Sequence, residues 1–88
     1  MKKVLIDTAL WQDKKQLHQS MKDALSFPDY YGHNLDALHD MLTEMDETEL
    51  TLLNTHSLYT RFGSWVYVFL RVIMESASEN KRLHLILI

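Results

Sequence analysis

The sequence predicts an α/β fold in which three to four helices pack on a three-stranded parallel sheet. Three short apolar segments have the composition of strands, and amphipathic helical segments separate them in the order β, α, α, β, α, β. Nearly continuous apolar strands joined by helices favour parallel pairing through right-handed crossovers. A chain of 88 residues has room for one core, so we expect residues 1–88 to form a single domain.

The first strand and the first helix occupy the N-terminal part of the chain. Lys3–Asp7 is short, apolar and partly β-branched, which is typical of a strand. Asp13 is a good N-cap for the helix that follows, and Phe27–Pro28 should end it, because the residue before a proline is disfavoured in the α region. The helical period places His18 with the polar side chains. The predicted apolar face consists of Leu17, Met21 and Leu25.

A turn and a second helix come next. Residues 28–32 should form the turn, with Gly32 able to take a positive φ. Asn34 is a good N-cap for a helix that we expect to run to about Met45. At about 100° per residue, one side of this helix is apolar. That side consists of Leu35, Leu38, Leu42 and Met45, with Met41 at its margin.

The second half of the chain predicts two strands and a long helix. Leu50–Asn54 and Leu83–Ile88 are apolar segments typical of buried strands. Between them, Ser57–Thr60 is expected to form one helical turn, and Ser64 to cap a helix over Trp65–Glu79. The apolar side of that helix should consist of Val66, Phe69, Leu70, Ile73 and Ala77.

The second predicted helix carries an acidic face. Asp36, Asp40 and Glu44 lie opposite its apolar side, at positions i, i+4 and i+8. Like charges at this spacing repel by about 0.2–0.5 kcal/mol per pair in an isolated helix, and the helix has no Lys or Arg to relieve the repulsion. Such a face indicates a binding surface for a cationic partner, although a merely solvated helix face is the simplest alternative.

The acidic residues are also concentrated along the chain. The net charge is only −3, but no Lys or Arg occurs between Lys22 and Arg61, and eight of the twelve acidic residues lie in that interval. This segregation favours a cationic partner and disfavours nucleic acid or an anionic membrane surface. The chain has two glycines, which excludes a glycine-rich phosphate-binding loop.

Composition also bears on redox chemistry and location. There is no cysteine, which excludes disulfides, thiolate chemistry and cysteine-based zinc sites. Asp7 and Asp13 interrupt the N-terminal apolar segment, so it lacks the core of a signal peptide. No apolar segment approaches the roughly 18 to 20 residues of a membrane span. We expect a cytoplasmic protein without a cofactor.

Catalysis and metal binding are competing interpretations of the second helix. Asp36 and Asp40 could act as general acid and base, but on an exposed face nothing sets their protonation states apart. His39 lies about 60° from Asp36 and about 100° from Asp40 around the helix, and His33 precedes the cap, which is a poor arrangement of metal ligands. We therefore expect neither enzymatic activity nor a metal site.

The adjacent tyrosines before the helix are expected to have different roles. One of Tyr30 and Tyr31 should be buried in the core. The other should offer contact area to a partner, as tyrosines do at protein interfaces.

The segment from Pro28 to Leu42 contains the pattern PxYYGxNLDALxDxL. It is long and contiguous, and helix propensity alone does not account for it. Together with the Leu17–His18 pair, Glu75 in the last helix and an apolar final strand, the pattern makes the chain resemble the barstar family of intracellular ribonuclease inhibitors over essentially its whole length. The resemblance implies a barstar-like fold of three parallel strands with helices packed on them.

The resemblance also implies a binding site. In the family, the second helix and the preceding turn block the nuclease active site, where carboxylates occupy positions meant for RNA phosphates. Asp40 resembles the central carboxylate, and Glu75, with Val72 one turn earlier, resembles a secondary contact from the last helix. The expected partner-binding residues are Tyr30, Tyr31, Gly32, Asn34, Leu35, Asp36, His39, Asp40, Glu44, Val72 and Glu75.

The resulting functional prediction is a protein inhibitor that binds a cationic ribonuclease, of an extracellular or toxin type, one to one. An immunity protein against a delivered nuclease toxin is one alternative. An acidic adaptor or nucleic-acid mimic for a basic protein that is not a nuclease is the other. Genomic adjacency to a toxin gene would favour the first alternative.

Three positions depart from the best-known member of the family. His39 and Met45 replace tryptophans, and Glu44 replaces a glycine. We expect a protonated His39, close to Asp36 and Asp40, to cancel part of the acidic charge. Binding should then weaken as the pH falls through roughly 6.5, the ordinary range for a histidine.

Overall fold

The three strands run parallel in the order β1, β2, β3, with β2 in the centre. The computed structural model describes residues 1–88. The strands are β1 (Lys2–Asp7), β2 (Thr48–Leu53) and β3 (Leu83–Leu87). Both neighbours pair with β2 in parallel register, which places Leu5, Thr51 and Ile86 in one row across the sheet. The predicted α/β class and the parallel sheet are confirmed.

Four α-helices connect the strands. They are α1 (Lys14–Leu25), α2 (Leu35–Thr43), α3 (Leu58–Phe62) and α4 (Trp65–Glu79), with short 3-10 turns at Thr8–Leu10 and Thr55–Ser57. The bounds of α4 are those predicted, whereas α2 ends two residues before Met45. The helical turn expected around residues 57–60 is longer than predicted, because α3 follows the second 3-10 turn directly. None of these helices is long and apolar enough to cross a membrane.

Two of the three predicted N-caps form side-chain hydrogen bonds. Asp13 accepts from the backbone N–H of Gln16 at 2.8 Å, and Asn34 accepts from that of Ala37 at 2.8 Å. Each bond satisfies one of the backbone donors that the first turn of a helix leaves free. Ser64 occupies the N-cap position of α4 but has helical φ and ψ and makes no capping bond, so the prediction of a Ser64 side-chain cap is wrong.

The residue with a positive φ in the turn before α2 is His33, not Gly32. His33 has φ 51°, so the prediction for Gly32 is wrong. Nδ1 of His33 lies 3.0 Å from the carbonyl oxygen of Tyr31, a local hydrogen bond that helps to hold the left-handed conformation. Glycine at position 32 instead provides room, since a Cβ there would lie 3.1 Å from Nδ2 of the capping residue Asn34.

The core lies between the sheet and the long helices. Leu17, Met21, Leu38 and Leu42 are fully buried, so the predicted apolar faces of α1 and α2 are confirmed. On α4, Val66, Phe69 and Ile73 are buried, and Leu70 and Ala77 pack against them while partly exposed. One polar assignment is wrong: His18 of α1 is buried rather than on the solvent face. α2 packs on α4. This packing fixes the orientation of α2, so the side opposite Leu38 and Leu42 faces solvent.

Candidate partner-binding surface

Asp36 and Asp40 on the outer side of α2, together with Glu44, which follows the last residue of the helix, form an acidic face. All three side chains are exposed, and none pairs with a Lys or Arg. The opposite side of α2 is anchored by Leu38 and Leu42, which are fully buried. Burial of the apolar side therefore directs the three carboxylates outward, where their charges stay uncompensated by any fixed positive group.

Other acidic residues of the same interval do have cationic partners. Asp29 lies 3.7 Å from Nζ of Lys22, and Asp46 lies 3.5 Å from Arg82. Glu47 contacts the imidazole of His84. Tertiary folding thus brings positive charge to the loops that flank α2 but not to the acidic face itself. Asp23 on α1 and Glu49 on β2 have no cationic partner either, so the acidic face is distinguished by having three such carboxylates along one side of a helix.

The turn before α2 presents one tyrosine and buries the other. Tyr30 is 81% exposed, whereas Tyr31 is only 3% exposed. The ring of Tyr31 packs against Phe27, with centroids 4.9 Å apart, and its hydroxyl oxygen lies 2.6 Å from Nδ1 of His18. The expectation of one core and one exposed tyrosine is confirmed. The side chain of Tyr31 is too buried to contact a partner. Its expected role as a partner-binding residue is therefore corrected: Tyr31 holds the turn in place.

Burial also governs the titration of the His18–Tyr31 pair. Desolvation, followed by the nearby His33, lowers the pKa of His18, and desolvation raises the pKa of Tyr31. Both shifts favour the neutral forms. Of the two neutral tautomers of His18, we assign the one protonated at Nε2, because it lets the Tyr31 hydroxyl, which has no other acceptor, donate to Nδ1.

Asn34 and Leu35 each make contacts within the protein that support the fold. The side-chain amide of Asn34 donates to the carbonyl oxygen of Gly32 at 3.2 Å while its oxygen caps α2. Leu35 is half-buried and packs against the core. Asn34 is exposed, and its side chain caps α2. The first turn of α2, which carries Asp36, therefore starts at a fixed residue that faces solvent.

His39 contacts a carboxylate that the sequence did not indicate. Nε2 of His39 lies 2.6 Å from Oε2 of Glu79 on α4, whereas its Nδ1 is 4.0 Å from Asp40. The expected proximity to Asp40 is therefore present, but the closest carboxylate belongs to another helix. Local sequence holds no signal for this contact, because its two residues are 40 positions apart.

The two residues predicted on α4 differ in their surroundings. Val72 is half-buried, and Glu75 is exposed and accepts a hydrogen bond from Nε of Arg71 at 3.2 Å, one turn earlier. Glu75 therefore has an internal cationic partner, unlike the acidic face. The α4 carboxylate that the structure joins to α2 is Glu79. No group of three His, Asp or Glu side chains is arranged to hold a metal ion.

The fold and the acidic face place the protein among small α/β domains that expose a helix whose carboxylates have no Lys or Arg partner. The family described as barstar (barnase inhibitor) matches residues 1–83. A Bacillus subtilis (strain 168) protein named "Putative ribonuclease inhibitor YrdF" is 43% identical over 83 residues, which cover 92% of this chain and 91% of that protein. The chain belongs to the barstar family, and the resemblance found in the sequence is confirmed.

Proposed function

We propose that this chain inhibits a ribonuclease by binding over its active site with the acidic face and the preceding turn. Membership of the barstar family and the name of the Bacillus relative support the inhibitory role. The observation that carries the location of the site is the grouping of unpaired carboxylates. Asp36, Asp40 and Glu44 have no Lys or Arg partner and follow one another along one side of α2, whereas Asp23 on α1 and Glu49 on β2 are single unpaired carboxylates.

The chemistry of an RNA-cleaving site explains why such a face would bind it. A ribonuclease holds a polyanionic substrate, so its cleft presents cationic donors. Fixed carboxylates compete for those donors, and long-range attraction raises the association rate. Arginine in the cleft can pair with a carboxylate through two parallel hydrogen bonds, which adds geometric specificity. The complex is one to one, because a single α2 is available to fill a single cleft.

The proposed contact set keeps the expected residues except Tyr31. Asp40 takes the central position and Asp36 lies one turn before it. The exposed ring of Tyr30 adds apolar contact area at one end, since an exposed tyrosine loses little conformational entropy on binding. The remaining members are Gly32, Asn34, Leu35, His39, Glu44, Val72 and Glu75. The protein acts stoichiometrically in the cytoplasm and not as an enzyme.

The test has two stages. The immobilised chain is first used to capture its partner from an extract of the native organism, and the captured fraction is assayed for RNA degradation. The purified nuclease is then titrated with wild-type protein, Asp40→Asn, Asp36→Asn and Glu49→Gln. Glu49 lies on β2 and loses the same charge, so it is the matched control.

We expect Asp40→Asn to abolish tight inhibition, Asp36→Asn to weaken it less, and Glu49→Gln to titrate like wild type. Equal titration by all four proteins would remove the acidic face from the site. A captured partner without RNA-degrading activity would instead favour the acidic adaptor or nucleic-acid mimic. A captured nuclease that is part of a delivered toxin would identify the chain as an immunity protein.

A further inference from the structure

A cleft of about 560 Å³ lies between α1, the turn before α2 and the start of α4. Its charge is opposite to that of the acidic face. The basic side chains that line it are Lys14, Lys15, His18 and His33, joined by Leu35 and Trp65. No carboxylate lines the cleft, although the chain as a whole has a net charge of −3. The cleft is therefore a local concentration of positive charge in an acidic protein.

The two lysines are free to bind a ligand. Neither Lys14 nor Lys15 forms an ion pair with an acidic residue, and both are exposed. Nζ of Lys14 lies 4.6 Å from the centroid of the Trp65 ring, which directs it over the cleft. The attraction between an ammonium group and an aromatic face is about 0.5–1 kcal/mol at an exposed site, so an anion can readily compete for this lysine.

A buried histidine supplies a directed donor. His18 is only 4% exposed, and Tyr31 fixes its Nδ1 from the interior. Its Nε2–H has no partner within the protein, while the residue lines the cleft. Both ring nitrogens of His33 lie near oxygen acceptors, at 3.0 Å from the carbonyl of Tyr31 and 3.3 Å from Oε1 of Gln19.

The first turn of α2 begins at the cleft, which Leu35 lines, and adds backbone donors beside it. Asn34 accepts from Ala37, and the carbonyl of Asn34 accepts from Leu38, while the N–H groups of Leu35 and Asp36 have no acceptor in the protein. Free N–H groups and the partial positive charge at the start of a helix favour an anion. The helix start supplements His18, a buried residue whose Nε2 is accessible and has no partner in the protein.

We propose that this cleft binds a phosphate group, carried either by inorganic phosphate or by a nucleoside monophosphate. A phosphate has several acceptor oxygens and up to two negative charges, which match two ammonium groups, the Nε2–H of His18 and the free N–H groups of α2. Trp65 provides an aromatic surface beside the site, on which a base could stack once Lys14 moves to the phosphate. The cleft adjoins the acidic face, because Asn34 and Leu35 line the cleft and also belong to the proposed contact set, but phosphate binding does not require the nuclease and does not depend on ribonuclease inhibition.

The test is an amide and imidazole NMR titration at pH 7.5 and constant ionic strength. Wild-type protein is titrated with inorganic phosphate, with adenosine monophosphate, and with adenosine as a ligand lacking phosphate. The same titrations are made with Lys14→Gln/Lys15→Gln and with Lys2→Gln/Lys3→Gln. The second double variant loses the same charge from β1, outside the cleft, and is the matched control.

We expect saturable shifts at the N–H groups of Leu35 and Asp36 and at the imidazole of His18. Lys14→Gln/Lys15→Gln should weaken binding at least tenfold, and Lys2→Gln/Lys3→Gln should change it less than twofold. Tighter binding of adenosine monophosphate than of inorganic phosphate would identify a nucleotide as the carrier of the bound phosphate group. Equal binding of the two would identify inorganic phosphate as the ligand. Non-saturating shifts, equal losses in the two double variants, or equal binding of adenosine would each overturn the proposal.

Discussion

Nε2 of His39 lies 2.6 Å from Oε2 of Glu79, and this contact joins the outer side of α2 to the last residue of α4. His39 belongs to the proposed contact set and is one of the positions that depart from the best-known member of the family. Its partner fixes the ring at the border of the acidic face. Glu79 also adds a carboxylate beside that face, which the sequence did not predict.

A double-mutant cycle should measure this contact. His39→Ala, Glu79→Ala and the double variant should give a coupling of about 0.2–1 kcal/mol in the free energy of unfolding, since both side chains are partly exposed. Urea unfolding of the four proteins supplies the data. A coupling of zero would show that the contact contributes nothing to the free energy of unfolding.

Nuclease binding by the acidic face should depend more strongly on pH in the wild type than in a variant without His39. A positive charge 4 Å from a carboxylate contributes about 1 kcal/mol in water, so protonation of His39 should weaken nuclease binding about fivefold as the pH falls from 8 to 5.5. His39→Gln should lack this component. The measurement is the inhibition constant against pH for both proteins. Identical profiles would show that His39 does not modulate the face.

Removing a carboxylate from the acidic face should leave the fold intact. Asp40→Asn should leave the free energy of unfolding unchanged or raise it by about 0.2–0.5 kcal/mol for each like-charge pair that it relieves. Asp36 lies in the first turn of α2, where the helix dipole favours negative charge, so Asp36→Asn should cost up to about 1 kcal/mol. Leu38→Ala on the buried side is the contrast, with an expected loss of about 2–5 kcal/mol. Urea unfolding ranks the three variants.

His18 should make the fold less stable at acidic pH. Burial holds the pKa of His18 below its ordinary value of 6.5, so the unfolded chain binds the proton more readily than the folded chain. The stability contributed by neutral His18 is present in full above pH 6.5 and is lost as the pH falls toward the lower folded-state pKa. The free energy of unfolding should therefore drop between pH 7.5 and 5.5.

The corresponding variants isolate this effect. His18→Gln should flatten the dependence on pH, whereas His56→Gln, at an exposed position, should leave it unchanged. Urea unfolding at pH 7.5, 6.5 and 5.5 gives the slopes. An equal slope for wild type and His18→Gln would assign the loss of stability to other groups.

Asn80 should be important for holding the end of α2. Its buried amide donates to the carbonyl oxygens of Leu42 at 2.9 Å and Met45 at 3.0 Å. Asn80→Ala removes this donor from both carbonyls, leaves Leu42 with only the weak backbone contacts at the end of α2, and should cost about 1–3 kcal/mol. Asn80→Asp keeps the acceptor for Arg82 but loses the donor, so it should be no more stable than Asn80→Ala. Lys81→Ala, one residue away and exposed, should stay within about 0.5 kcal/mol of wild type by urea unfolding.

Features set by local sequence could be predicted, and tertiary contacts could not. The apolar period fixed the bounds of α4, and Asp13 and Asn34 were identifiable as caps because a capping side chain bonds within three residues of itself. The acidic face followed from the same period. Its lack of cationic partners required the structure, since Lys22 reaches Asp29 across the turn after α1 and Arg82 reaches Asp46 from a distant part of the chain.

The incorrect predictions have a common origin. His18 was assigned to solvent because histidine is polar, but Tyr31 from a later turn provides the hydrogen bond that makes its burial possible. Gly32 was expected to take the positive φ because glycine does so most easily. His33 takes it instead, with support from the carbonyl oxygen of Tyr31. In both cases a side-chain hydrogen bond that helical periodicity and turn propensity do not predict outweighs the intrinsic preference of a residue.

The position of Asn80 also bears on how the protein is made. Asn80 follows Leu42 by 38 residues, and the strand that completes the sheet follows Asn80. A ribosome that has released only the first 79 residues therefore holds a chain whose α2 lacks its terminal amide contacts and whose β2 lacks one neighbour. We expect the C-terminal end of α2 to reach its final geometry only after residues 80–87 have left the ribosome.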